Sequence, residues 1–99
     1  MALTSKQRAQ LRALANTMDT IFQVGKGGLG VALYKQVDEA LTVRELIKLR
    51  VLETAGLTAR EAAEQIAGQT NAQVVQVIGW RFVLYRQNKE LKNSIVLAK

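Results

Sequence analysis

Few residues in this chain are equipped for chemistry. It has no histidine and no cysteine. That removes imidazole acid–base catalysis, thiol chemistry, disulfides and the usual zinc ligands. What stands out is Gly25-Lys26-Gly27-Gly28, which follows the apolar run Ile21–Val24 and leads into a helical pattern. Glycine lacks a Cβ, so it allows φ > 0 and lets another molecule approach the backbone. The first N–H groups of a helix have no partner inside it and favour an anion. Lys26 adds a mobile positive charge. Strand, glycine loop and helix together predict contact with a phosphate.

That phosphate belongs either to a nucleotide cofactor or to a polyanion backbone. Gly25, Gly27 and Gly30 satisfy G-x-G-x-x-G, and Glu53 stands at the end of the next strand, where it could bind a ribose. A dinucleotide site uses two βαβ halves, however, and 99 residues leave no room for the second. The Walker pattern fails, because no Gly-Lys-Ser/Thr follows the spacing. Read instead as G-x-x-G, the loop suits the backbone clamp of KH-type RNA-binding modules. A plain turn would need one glycine, not the four of residues 25–30.

The charge supports a polyanion. The net charge is +6. Residues 1–18 hold Lys6, Arg8 and Arg12 with no acid, and residues 80–99 hold five bases against Glu90 alone. The middle is balanced, with six bases and seven acids. A surplus confined to particular elements reads as a patch for a polyanion. Candidate phosphate contacts are Gly25, Lys26, Gly27 and Gly28 in the loop, then Arg8 and Arg12, Lys48 and Arg50, and Arg81 and Arg86. No cofactor or metal is expected. The rival to a nucleic acid is an acidic protein partner meeting the basic ends.

The elements that must position these residues follow from periodicity. Thr4 with Gln7 makes a capping box for a first helix, with Leu11, Leu14 and Met18 on one face. Thr20–Val24 reads as a strand. From Leu29, a helix aligns Leu29, Leu33, Val37, Ala40 and Leu41. Arg44–Leu52 alternates, with Ile47, Leu49 and Val51 on one side and Lys48 and Arg50 on the other; this predicts a sheet covered on one side, its open side positive. Thr58 and Glu61 form a second capping box, before a small-residue face of Ala59, Ala62, Ala63 and Ile66; Gly68 suits that helix's end. Residues 72–78 and 81–86 read as strands joined by Gly79-Trp80, the two-residue type II′ choice. Trp80 stands at the tip, either exposed or folded back. Residues 87–99 read as a loosely packed tail. The expected fold is a single α/β domain over 1–99, two-layered, α-β-α-β-α-β-β, with a mixed four-stranded sheet. The first residues lack signal-peptide order and no apolar run is long enough to span a membrane, so a cytoplasmic location is expected.

Four stretches, in order, carry a family resemblance: Thr4-Ser5-Lys6-Gln7-Arg8, Ile21–Gly28, Glu45-Leu46-Ile47-Lys48-Leu49, and Val75–Gly79 followed by Val83-Leu84-Tyr85-Arg86. The sequence resembles the bacterial YhbY-type proteins, stand-alone CRM (chloroplast RNA splicing and ribosome maturation) domains. The resemblance implies an RNA-binding fold similar to the C-terminal domain of translation initiation factor 3. It also implies a non-enzymatic role in ribosome biogenesis, bound to ribosomal RNA in large-subunit precursors. Leu29-Gly30 departs from the family by placing an extra glycine at the helix start.

Overall fold

The computed structural model describes residues 2–99. The elements are α1 (Ser5–Ala15), β1 (Phe22–Val24), α2 (Val31–Arg44), β2 (Leu46–Val51), a 3-10 turn at Glu53–Ala55, α3 (Ala59–Thr70), β3 (Gln73–Ile78) and β4 (Arg81–Tyr85). This is the expected α/β order with a mixed four-stranded sheet. The strands lie in the order β1-β2-β4-β3. β1 pairs parallel with β2, and β4 pairs antiparallel with both β2 and β3. The hairpin therefore folds back so that β4 enters between β2 and β3.

Both predicted capping boxes form, at Thr4/Gln7 and Thr58/Glu61. Backbone and side-chain hydrogen bonds with Thr58 hold the Glu61 carboxyl below its ordinary pKa. Gly79 has φ 57° and Trp80 has no positive φ, which fits the type II′ turn. α2 begins two residues later than its apolar pattern, because Gly30 is its extended N-cap and Leu29 packs from the loop. α3 runs through Gly68 to Thr70. Ala67 and Thr70 are buried, and Asn71, at φ 59°, takes the terminating role expected of Gly68.

α2 and α3 cover one sheet face, where Val37, Leu41, Ile66 and the alanines of α3 meet Ile47, Leu49, Val51, Phe82 and Leu84. The alanines permit close approach. The other face is not left open along its length, contrary to the strand-alternation reading. Leu11 and Ala15 of α1 join Leu46, Val75, Val83 and Tyr85 there, with Ile95 and Leu97 packed against them. Leu14, expected on the buried face of α1, is 45% exposed, because Arg8, Leu11 and Ala15 face the sheet instead.

Residues 87–99 lie across this second face. Their anchor is Glu45, which follows α2 with φ 63° and is 1% exposed. Its carboxylate accepts hydrogen bonds from Asn88 N (2.7 Å), Ser94 Oγ (2.7 Å) and Ile95 N (2.7 Å). Gln10 and Gln7 of α1 bond the backbone of Val96 and Ala98. A carboxylate buried without partners is costly, so the tail and Glu45 need each other.

Two outcomes follow. Glu45→Gln loses charge-assisted bonds and turns an amide toward N–H donors; it should lower unfolding free energy by about 2 kcal/mol and speed amide exchange in residues 88–98. The Tyr85 hydroxyl is buried with no hydrogen-bond partner among the described residues. Burial, then the Glu45 charge, pushes its pKa up. A raised folded pKa stabilises the fold below the ordinary tyrosine value near 10, and that stabilisation is lost as pH rises through the folded value. Tyr85→Phe should keep or raise the thermal midpoint at neutral pH and flatten its decline above pH ~10, as thermal melts across pH would show.

Candidate nucleic-acid interface

The parallel pairing of β1 with β2 sets the loop. Val24 pairs with Val51, and Leu52 N donates to Val24 O at 2.9 Å, so the chain leaves the sheet at Gly25. Gly28 N then donates to Gly25 O at 2.8 Å, closing a four-residue turn with Lys26 and Gly27 at its exposed tip. Only Gly28 in this turn needs glycine conformationally, with φ 65°. A Cβ on Gly27 would meet nothing within 4 Å, so its backbone is bare to solvent. The first turn of α2 follows with no side-chain cap and no acidic residue. Its free N–H groups and the Lys26 ammonium lie in the same short segment, which is a setting for an anion.

The other cations divide by position. Arg50 and Arg81 are register partners on the last rung of β2 and β4, both exposed, at the loop end of the sheet. Val51 N donates to Trp80 O at 2.7 Å, which brings the hairpin tip to that end too. Trp80 is 47% exposed and walls a shallow cleft with Thr58 and Ala59. Arg12 lies half-buried on the last turn of α1.

Three of the cations carry hydrogen bonds within the fold. The Arg8 guanidinium donates to the carbonyls of Val74 and Val75, at the bulge where β3 slips register against β4. Lys48 Nζ donates to Ala15 O (3.0 Å) and Met18 O (3.4 Å), at the end of α1. Arg86 donates to Asp38 Oδ1 (2.6 Å), Asp38 O (2.9 Å), Thr42 Oγ1 (2.8 Å) and Thr70 O (2.8 Å), joining β4 to α2 and α3. It lies at the far end of the sheet from the loop, roughly 17 Å away at a strand rise of about 3.4 Å per residue. Sequence reading gave all these cations equal standing. The bulge and the knot around Arg86 depend on tertiary register, which spacing does not encode.

The dinucleotide alternative finds one unit of adjacent parallel strands, β1-α2-β2, where it needs two halves. Gly30, the third glycine of that pattern, has an extended φ of −168°, which any residue adopts. No cluster of three or more metal-ligating side chains occurs among the described residues.

Known proteins supply the family. The CRS1/YhbY (CRM) domain model matches residues 3–86. The chain belongs to that family. It is 44% identical over 90 residues to the "Probable RNA-binding protein YqeI" of Bacillus subtilis, covering 91% of this chain and 94% of that one. It is 33% identical over 90 residues to an "RNA-binding protein" of Haemophilus influenzae, covering 91% of each chain. The solution structure of the hypothetical protein SAV1595 from Staphylococcus aureus matches with a TM-score of 0.77 at 42% identity, over 98% of this chain and 100% of that one. The fold read from sequence is thus the fold of a solved relative, and the four resembling stretches all fall within or border the matched CRM region.

Within this CRM domain the loop glycines should separate cleanly in stability. Gly28→Ala forces a Cβ into left-handed backbone and should cost about 1 kcal/mol. Gly27→Ala has neither positive φ nor a clash, and should leave the denaturant midpoint nearly unchanged.

Proposed function

We propose that this CRM domain binds RNA at the loop end of its sheet, without catalysing a reaction, and acts in the cytoplasm on precursors of the large ribosomal subunit. The observation that carries the reading is the Gly25–Gly28 turn. Its tip exposes bare backbone and a lysine beside the uncapped start of α2. A sugar-phosphate backbone can approach such a surface closely, whereas any side chain at Gly27 would stand in the way. The CRM family membership and the names of the two relatives support RNA as the polyanion. The large-subunit assignment rests on the YhbY-type resemblance.

Of the candidate cations, Lys26, Arg12, Arg50 and Arg81 have no hydrogen bond or ion pair within the described fold, while Arg8, Lys48 and Arg86 are committed to it. We therefore assign the phosphate contacts to the first group. Single strands release about 0.7 counterion per neutralised phosphate, so four contacts give a slope of log affinity against log salt near −3.

The test is a binding titration on single-stranded RNA over a range of salt. Gly27→Asp should lower affinity at least ~10-fold, about 1.4 kcal/mol, with the thermal midpoint nearly unchanged. Lys26→Ala should reduce the magnitude of the salt slope by about 0.7. A salt-independent affinity, or a Gly27→Asp variant that binds like the parent, would refute the clamp. Sequencing of RNA crosslinked in cells tests the substrate: enrichment of large-subunit precursor RNA is expected, and enrichment of messenger RNA instead would refute that assignment.

A further inference from the structure

The second sheet face is covered at one end only. Beyond α1 and the tail it leaves Arg50, Gln76, Ile78 and Arg81 at the surface, and Ile78 is 62% exposed. Two features there are unexplained by folding. First, Arg50 and Arg81 are direct partners across β2 and β4. Like charges directly opposite destabilise a sheet. No carboxylate relieves them: the ion pairs among the described residues are Arg60–Glu64 and Arg86–Asp38. Asp19 lines a neighbouring recess with Lys48 and Arg81 but forms no ion pair with either. Second, a recess of about 180 Å³ adjoins Arg81 of the pair, lined by Asn16, Lys48, Gln76, Ile78, Arg81, Phe82 and Val83.

The lining has a definite chemistry. Ile78 gives apolar surface beside the buried Val83, the Asn16 and Gln76 amides each offer donors and an acceptor, and the Lys48 ammonium is already bonded to Ala15 O and Met18 O. That combination suits a flat heterocycle with a polar edge. The recess is well below the roughly 300–1,000 Å³ of a cofactor site, so it admits one ring system and not a dinucleotide. We infer that the recess takes one unpaired base of an RNA strand, with an adjoining phosphate held between Arg50 and Arg81. The inference rests on the RNA reading above and extends it to single-stranded specificity. The loop follows β1, and Arg50 and Arg81 lie one and two strand spacings from it, about 5 and 10 Å, so one short single strand can engage all three. A base inside an A-form duplex is stacked and paired, and cannot enter a recess on a sheet face. An acidic peptide would satisfy the arginines and leave the apolar wall and the two amides without a role.

The experiment uses the full chain with a single-stranded oligonucleotide containing 4-thiouridine and a duplex of equal length. Crosslinked peptides are mapped by mass spectrometry, and affinities are measured for the parent, Lys26→Ala, and Asn16→Ala combined with Gln76→Ala. Crosslinks are expected on residues 76–83 as well as on the loop. The amide double variant should lose ~5–10-fold in single-strand affinity, while its duplex affinity and salt slope stay unchanged. Crosslinks confined to the loop, with the double variant binding like the parent, would overturn the recess while leaving the RNA reading intact. No RNA binding by the parent chain would overturn both. A polyglutamate peptide that binds the parent and is weakened by the amide changes would assign the recess to an acidic protein instead.

Discussion

A buried carboxylate must be satisfied, and Glu45 is satisfied by elements far apart in sequence. Its N–H closes α2 on Leu41 O, and its carbonyl accepts from Arg86 N as β4 ends. Its side chain collects Asn88, Ser94 and Ile95. The left-handed backbone at this position turns the chain from α2 directly into β2, with no loop between. One residue thus fixes the α2–β2 junction, the exit of β4 and the path of the tail. Beside it, Arg86 binds the carbonyls of Asp38 and Thr70 and so joins α2 to the end of α3. This end of the sheet is closed by the fold's own polar groups.

The opposite end is built the other way. There the strands β1 and β2 deliver a glycine turn, and the β3–β4 hairpin delivers Gly79-Trp80. The cations at this end, Lys26, Arg50 and Arg81, meet no hydrogen-bond or ion-pair partner among the described residues. A basic protein of this size therefore does not present its charge evenly. Arg8, Lys48 and Arg86 are consumed in holding the bulge, α1 and the β4 exit, whereas Lys26, Arg50 and Arg81 stand at the end where the glycine turn leaves the backbone accessible. That contrast between Arg86, bonded within the fold, and the unbonded cations beside the bare glycine turn is what supports the proposed RNA contact at the loop end.

Much of this was legible in the sequence because the signals are local. Thr4/Gln7 and Thr58/Glu61 announce helix starts through contacts three residues apart. Gly79-Trp80 encodes a hairpin because only a glycine takes that φ cheaply. The alternation of Ile47, Leu49 and Val51 marks a core face. The features missed are those set by distant pairing. Alternation in β2 could not reveal that α1 returns to cover Leu46 and engage Lys48. Nothing local places β4 between β2 and β3, and so nothing local puts Arg50 opposite Arg81. A lone Glu after a helix looks like an ordinary surface acid until the tail arrives. Gly68 looked like a helix stop, but burial of Ala67 and Thr70 carried α3 past it. In the loop, the residues were evident from composition, whereas the distinction between Gly27, bare and unstrained, and Gly28, conformationally required, depends on the turn's hydrogen bond.

The proposed RNA contact is at the loop end of the sheet and not at the Glu45 end. A titration of the isotopically labelled domain with a short single-stranded RNA, followed by amide chemical shifts, tests it most directly. Shifts should cluster at residues 25–28, at the first turn of α2, and at Arg50 and Arg81, while Glu45, Arg86 and residues 88–98 stay still. Shifts concentrated on the tail and the Arg86 end, with the glycine turn silent, would contradict it.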